Sequence, residues 1–271
     1  MGNMIDIVQQ KAPDGTIYDF SGPDQAPVLV LIHGLGLNRN IWPEFNKAFN
    51  ASYRVLQYDL YGHGQSAAPP RSPNLALYSE QIVGLLDLLS IDKAALIGFS
   101  LGGMINRRVA MDYPDRVTAL GILNSPHERG EEQQRLVEER AKDSAAGGPG
   151  ATIDATLKRW FTPSYLENNL EYIQQVREWV LANDPVLYAQ CRFVLANGVV
   201  ELIHPDIRLK TPTLVVTCEN DSGSNPSMSV GIADEIDGAE IIIIPELQHM
   251  GIAERPELFI NPLAGFLKQV L

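Results

Sequence analysis

Cysteine is nearly missing from this chain. Only Cys191 and Cys218 occur in 271 residues, and two isolated cysteines make neither a disulfide framework nor a zinc site. Cys218 closes an apolar run and reads as a small core residue. Histidine is scarce as well: five are present, with no H-E-x-x-H and no C-x-x-C, so a metal centre has little support and no cofactor is expected. No apolar run approaches a membrane span. Residues 1–10 lack the basic and apolar regions of a signal peptide, so the expectation is a cytoplasmic protein with no membrane partner. Positive charge is in the minority. Lys and Arg number 21 against 33 Asp and Glu, a net charge of −12. That argues against nucleic acid, whose phosphates need a basic face. It also disfavours a highly anionic substrate, unless local arginines override the global field. No internal repeat or low-complexity segment is present.

What is there is an alternation of short apolar runs and helical stripes. Residues 4–10 and 15–20 read as two early strands joined at Pro13-Asp14-Gly15. The runs at 28–32, 53–58, 93–97 and 117–123 are continuous enough to be buried strands, and 213–217 and 240–244 resume the pattern late in the chain. Residues 75–90 carry a helical apolar stripe at Ile82, Leu85, Leu86 and Leu89, and a last helix is expected near 256–270. This predicts an α/β fold with a mostly parallel, eight-stranded sheet and helices on both faces. Between about 128 and 205 there is no convincing buried strand, only helical stretches at 131–143, 151–160, 168–182 and 185–196. Such a block reads as an inserted helical cap, dividing the chain into a core (1–125 and 206–271) and a cap (126–205). The cap is expected over the carboxyl ends of the strands, where open α/β sheets bind ligands.

The chemistry centres on Ile97-Gly98-Phe99-Ser100-Leu101-Gly102-Gly103, a G-x-S-x-G sequence with an apolar strand before it and a helix after it, up to Tyr113-Pro114. Strand, tight turn and helix is the context of a nucleophile elbow. The turn lifts Ser100 above the sheet edge, Gly98 and Gly102 give it room, and the helix directs free N–H groups at developing negative charge. A serine hydroxyl needs a base. In this arrangement the acid and then the histidine follow in chain order. His249 lies after the strand 240–244, and Asp221 after the strand 213–217, with Glu219 as the rival acid. The second oxyanion donor is expected on His33-Gly34-Leu35-Gly36, with the N–H groups of Leu35 and Leu101 as the pair. His33 and His63 read as structural, and His127 and His204 as residues of the cap edge. Arg39 and Arg129 could face a pocket, but solvated surface arginines are the simpler expectation.

Leu31-Ile32-His33-Gly34, Asp59-Leu60-Tyr61-Gly62-His63-Gly64-Gln65-Ser66 and Gly98 to Gly103 together resemble the α/β-hydrolase superfamily over essentially the whole chain. Within the cap, Arg159-Trp160-Phe161-Thr162-Pro163 and Ala182-Asn183-Asp184-Pro185, followed by Tyr188, resemble 3-oxoadipate enol-lactonases. That resemblance implies a small lactone as substrate and places Trp160 in the pocket wall; Gly34 is a further candidate for binding substrate. The alternative for Trp160 is packing inside the cap. Asn38-Arg39-Asn40 and Ser125 to Arg129 depart from the enol-lactonase pattern. The expected activity is a serine hydrolase of small carboxylic esters or lactones acting through an acyl-enzyme, with a homo-oligomer left open as its assembly. Two other readings use the same scaffold: a carbon–carbon bond hydrolase of a ring-cleavage product, and a small-molecule receptor. An Asp-dependent dehalogenase or epoxide hydrolase is disfavoured because position 100 is Ser.

Overall fold

The computed structural model describes residues 9–206 and 208–271. Eight strands form one sheet: β1 (Gln9–Lys11), β2 (Ile17–Ser21), β3 (Val28–Ile32), β4 (Arg54–Tyr58), β5 (Ala94–Phe99), β6 (Val117–Leu123), β7 (Thr213–Cys218) and β8 (Glu240–Ile244). Their order is β1-β2-β4-β3-β5-β6-β7-β8. The β1–β2 and β2–β4 pairs are antiparallel and the remaining pairs parallel. Of the first expected strand, 4–10, only Gln9 and Gln10 fall in β1, and 4–8 lie outside the described residues. Strands β3, β5 and β7 are buried along their whole length. That is why they read as unbroken apolar runs: a strand covered on both faces has no side to leave polar. The edge strand β8 is the exception, with Ile241 and Ile243 exposed.

The sequence places the helix starts by local chemistry. Helices α1 (Pro43–Phe49), α2 (Leu75–Leu88) and α3 (Leu101–Asp112) alternate with the central strands. The Asn74 side chain accepts from Leu77 N–H at 2.8 Å and caps α2. A helical block follows β6: α4 (Glu131–Gly147), α5 (Ile153–Trp160), α6 (Pro163–Asn168), α7 (Leu170–Leu181) and α8 (Pro185–Asn197). The single helix expected over 168–182 is interrupted at Asn169, and α6 before it was not expected. Thr162 accepts from Tyr165 N–H, and Pro163 takes the first helical position, where its missing N–H costs nothing. Asp184 with Pro185 starts α8 in the same way, accepting from Val186 and Leu187 N–H. Helices α9 (Pro226–Asp234), α10 (Gly251–Glu254) and α11 (Glu257–Val270) complete the chain. Among the described residues no helix is long and apolar enough to cross a membrane.

Within the block, α4 packs on α8, and α5 and α6 pack on α7. Both ends of the block are tied to the sheet's helices. Where the chain enters, Arg107 of α3 donates to Pro126 O at 2.7 Å, and His127 Nε2 lies 3.0 Å from Glu235 Oε2. Where it leaves, His204 N–H donates to the other oxygen of Glu235 at 2.6 Å. His127 and His204 therefore sit at the edge of the block.

Candidate active site

Ser100 stands between the last residue of β5 and the first of α3 with φ 55° and ψ −114°. A non-glycine residue in that region is strained and persists only where its surroundings hold it. They do so here through Ser100 N–H, which donates to Leu123 O at 2.8 Å, and Gly103 N–H, which donates to Ser100 O at 3.0 Å. The two flanking glycines are required by close backbone contact. A Cβ on Gly98 would run into the Gly102 carbonyl, and a Cβ on Gly102 into the Ile32 carbonyl of β3. The G-x-S-x-G spacing is therefore what lets β5, the turn and α3 close on one another.

Three residues expected to meet are brought together. His249 Nε2 lies 3.1 Å from Ser100 Oγ, and His249 Nδ1 lies 2.6 Å from Asp221 Oδ2. With Asp221 as a carboxylate, Nδ1–H donates to it and Nε2 is left to accept from the serine hydroxyl. Asp221 is further held by Asn124 Nδ2 on Oδ2 at 2.9 Å, and by Gly223 and Ser224 N–H on Oδ1 at 2.9 and 3.0 Å. Burial alone would raise its pKa, but the facing His249 and these donors outweigh burial and hold the carboxyl below its ordinary value. Glu219, the rival acid, is exposed and accepts from Glu246 N–H instead. Asn124 was not singled out from the sequence. Its only signal is a polar residue directly after a buried strand, at the edge where ligands bind.

The loop after β3 lies against the serine: a Cβ on Gly34 would come within 3.1 Å of Ser100 Cβ. Gly34 and Leu35 line the same cavity as Ser100, and Leu101 N–H opens α3 directly after the serine. His33 fixes this loop. Its Nδ1–H donates to Gly34 O at 2.8 Å, and its Nε2 accepts from Leu60 N–H at 3.0 Å. Burial pushes His33 down to about 4 and His63, whose ring meets it edge-on at 5.4 Å, down to about 3. Asn183, from the Ala182–Pro185 motif, donates to Gly36 O at 3.0 Å and couples the loop to the helical block.

Arg39 is neither solvated nor in the cavity. It is buried and paired with Asp19 at 2.9 Å and Asp59 at 2.7 Å. Asp59 also accepts Arg39 N–H and Gln65 N–H at 2.8 Å each, so this arginine stitches the β3 and β4 loops together. Arg129, also expected in solvent, lines the cavity with Ser100. It caps the end of α8 by donating to Leu195 O and Ala196 O at 3.2 Å each, and burial pushes its pKa to about 10.

The cavity over Ser100 and His249 has a volume of about 100 Å³, room for a cluster of waters or one small organic molecule. Its walls come from the sheet edge and from the helical block. Trp160, the last residue of α5, is part of the wall, with its ring 5.9 Å from that of His249, and its carbonyl accepts from Met250 N–H at 2.8 Å. Phe99 flanks His249 at 4.9 Å. The feature that sequence reasoning missed is a set of further arginines: Arg140, Arg159 and Arg192 also line this space. Arg192 shares a helix face with Tyr188 and Leu195, a spacing visible in the sequence. Which way that face points is not.

A family model described as alpha/beta hydrolase fold matches residues 27–146. Two curated relatives, both from Acinetobacter baylyi, match along nearly their whole length. A 3-oxoadipate enol-lactonase is 26% identical over 253 residues, covering 93% of this chain and 92% of its own. An (E)-2-((N-methylformamido)methylene)succinate hydrolase is 27% identical over 267 residues, covering 98% and 99%. Among solved structures, an enol-lactonase from Burkholderia xenovorans superposes with a TM-score of 0.85 at 28% identity, covering 94% of this chain and 98% of that one.

Proposed function

This chain is an α/β-hydrolase, and from that premise we propose that it cleaves a small carboxylic ester or lactone with Ser100 as nucleophile, His249 as base and acid, and Asp221 as the group that orients His249. The observation that carries this reading is the unbroken hydrogen-bonded line from Asp221 through His249 to Ser100 Oγ at the floor of the cavity. Ser100 Oγ attacks the acyl carbon as its proton passes to His249 Nε2. Leu35 and Leu101 N–H stabilise the oxyanion. The acyl–oxygen bond then breaks, and His249 gives the proton to the leaving alkoxide or enolate. Water attacks the resulting acyl-enzyme, its proton goes to His249, and that proton returns to Ser100 Oγ as the acid leaves. In a lactone the leaving oxygen stays tethered, so one open-chain hydroxy or keto acid is released. Ring opening of a small enol-lactone is the finer form of this reading, supported by the relatives above and by Trp160 in the wall. Residues 126–205 serve as the cap and 1–125 with 206–271 as the core.

The test is steady-state hydrolysis of p-nitrophenyl esters of increasing acyl length and of an enol-lactone, comparing wild type with Ser100→Ala. Loss of a nucleophile is expected to lower kcat by roughly a thousandfold or more, without loss of fold. A wild type inert on the whole panel would move the carbon–carbon hydrolase and receptor readings ahead.

A further inference from the structure

The chain carries 33 acidic against 21 basic residues, yet the cavity wall reverses that balance. Among the described residues four arginines, at positions 129, 140, 159 and 192, line it, against a single carboxylate, Asp221. Asp221 is already engaged by His249, Asn124, Gly223 and Ser224. Arg129 is occupied too: it caps α8, and so holds the helix that carries Arg192. Arg159 and Arg192 differ. Among the described residues no carboxylate lies within ion-pair distance of either. Arg159 meets no hydrogen-bond acceptor there, and Arg192 meets only Tyr188 Oη, at 3.4 Å. Both are partly buried. Burial, then the facing charges of Arg192 and Arg140, push the Arg159 pKa down. Two guanidinia, those of Arg159 and Arg192, held in a partly buried space with no carboxylate in contact among the described residues, are unfavourable until an anion enters. Each planar fork fits one carboxylate in bidentate fashion.

Resting on the reading of Ser100 as nucleophile, we propose that the substrate carries two carboxylates besides the scissile acyl group, one held by Arg159 on α5 and one by Arg192 on α8. The two guanidinia stand on different helices that line the same space, and each planar fork is satisfied by a carboxylate of its own. The protein is then a hydrolase of an ester or lactone that carries two free carboxylates. Its products include a small polycarboxylate, and a reaction that forms an ester or lactone bond on such a molecule must supply the substrate.

The wild-type protein and two variants, Arg159→Gln and Arg192→Gln, are compared on three p-nitrophenyl esters: a butyrate, a glutarate monoester with one free carboxylate, and a tricarballylate monoester with two. The expected result is kcat/KM rising at least tenfold with each added carboxylate, as suits a charge-assisted contact. Each variant is expected to lower the tricarballylate-to-butyrate ratio of kcat/KM at least tenfold, mainly through KM. Arg192→Lys keeps the charge without the fork and is expected to fall between, which guards against a Gln variant that folds poorly. A second arm needs no turnover: labelling of Ser100 by a neutral fluorophosphonate, with acetate, succinate, tricarballylate or inorganic phosphate as competitor at constant ionic strength. Tricarballylate is expected to protect most. Equal or better turnover of the butyrate, a ratio unmoved by either variant, or protection by phosphate rather than tricarballylate overturns the proposal. In those cases labelled Ser100 leaves the nucleophile assignment standing. Unlabelled Ser100, with Ser100→Ala as active as wild type, overturns that assignment and this inference together.

Discussion

His33 takes no part in the proposed chemistry, yet it sets the shape of the loop beside Ser100 and makes the fold sensitive to acid. Both its nitrogens are used by the backbone, on Gly34 O and Leu60 N–H, and His63 packs against it. The two are held neutral at about 4 and about 3, whereas an unfolded chain titrates its histidines near ~6.5. Below that pH the unfolded state binds protons that the folded state refuses, so stability falls as pH drops from about 6.5 towards 4 and below. The loss is on the order of 3 kcal/mol for His33 and about 5 kcal/mol for His63 once both states are charged. Urea unfolding followed from pH 7 to pH 4 is expected to show this slope, and His63→Gln to reduce it. A slope unchanged in the variant would place the acid sensitivity elsewhere. Asp221→Asn addresses the site itself. The amide can donate to His249 Nδ1 and leave Nε2 protonated, so kcat is expected to fall about ten-thousand-fold with little change in thermal stability.

At the scale of elements, the serine turn depends on two backbones touching. Gly102→Ala is expected to destabilise the protein by roughly 2 kcal/mol or more and abolish turnover, because the added methyl meets the Ile32 carbonyl. A calorimetric melt alongside the ester assay checks both parts. Two tryptophans separate core from wall. Trp42 is wholly buried, and its replacement by Ala is expected to cost about 3–5 kcal/mol. Trp160 lines the cavity beside His249. Trp160→Ala is expected to raise KM at least several-fold while lowering Tm less than Trp42→Ala does. The reverse ranking would make Trp160 a packing residue of the helical block.

Over the whole molecule two fields oppose each other. The net charge of −12 repels an anion at long range, while the arginine wall attracts it inside the cavity. Salt screens the first over a Debye length of about 8–10 Å and reaches the partly buried second far less. The kcat/KM for an anionic ester is therefore expected to change less than about threefold between 50 and 500 mM NaCl. A fall of tenfold or more would mean that the arginines act as surface charges.

Short-range rules account for what the sequence by itself determined. Strands β3, β5 and β7 announce themselves because double-sided burial demands unbroken apolar runs. The Ser100 turn is legible because its glycines answer to backbone contact a few residues away. The placing of Asp221 and His249 after late strands follows from the parallel order of the sheet. Tertiary structure alone decided between Asp221 and Glu219, two residues apart on one loop: only the first meets His249 and Asn124, the latter 97 positions away in the chain. It alone buried Arg39 against Asp19 and Asp59 and turned Arg129, Arg159 and Arg192 inward. None of these arginines has a local pattern that fixes which way its side chain points. Their environment is made by helices that pack on one another rather than by their neighbours in the chain, and no local pattern records that packing.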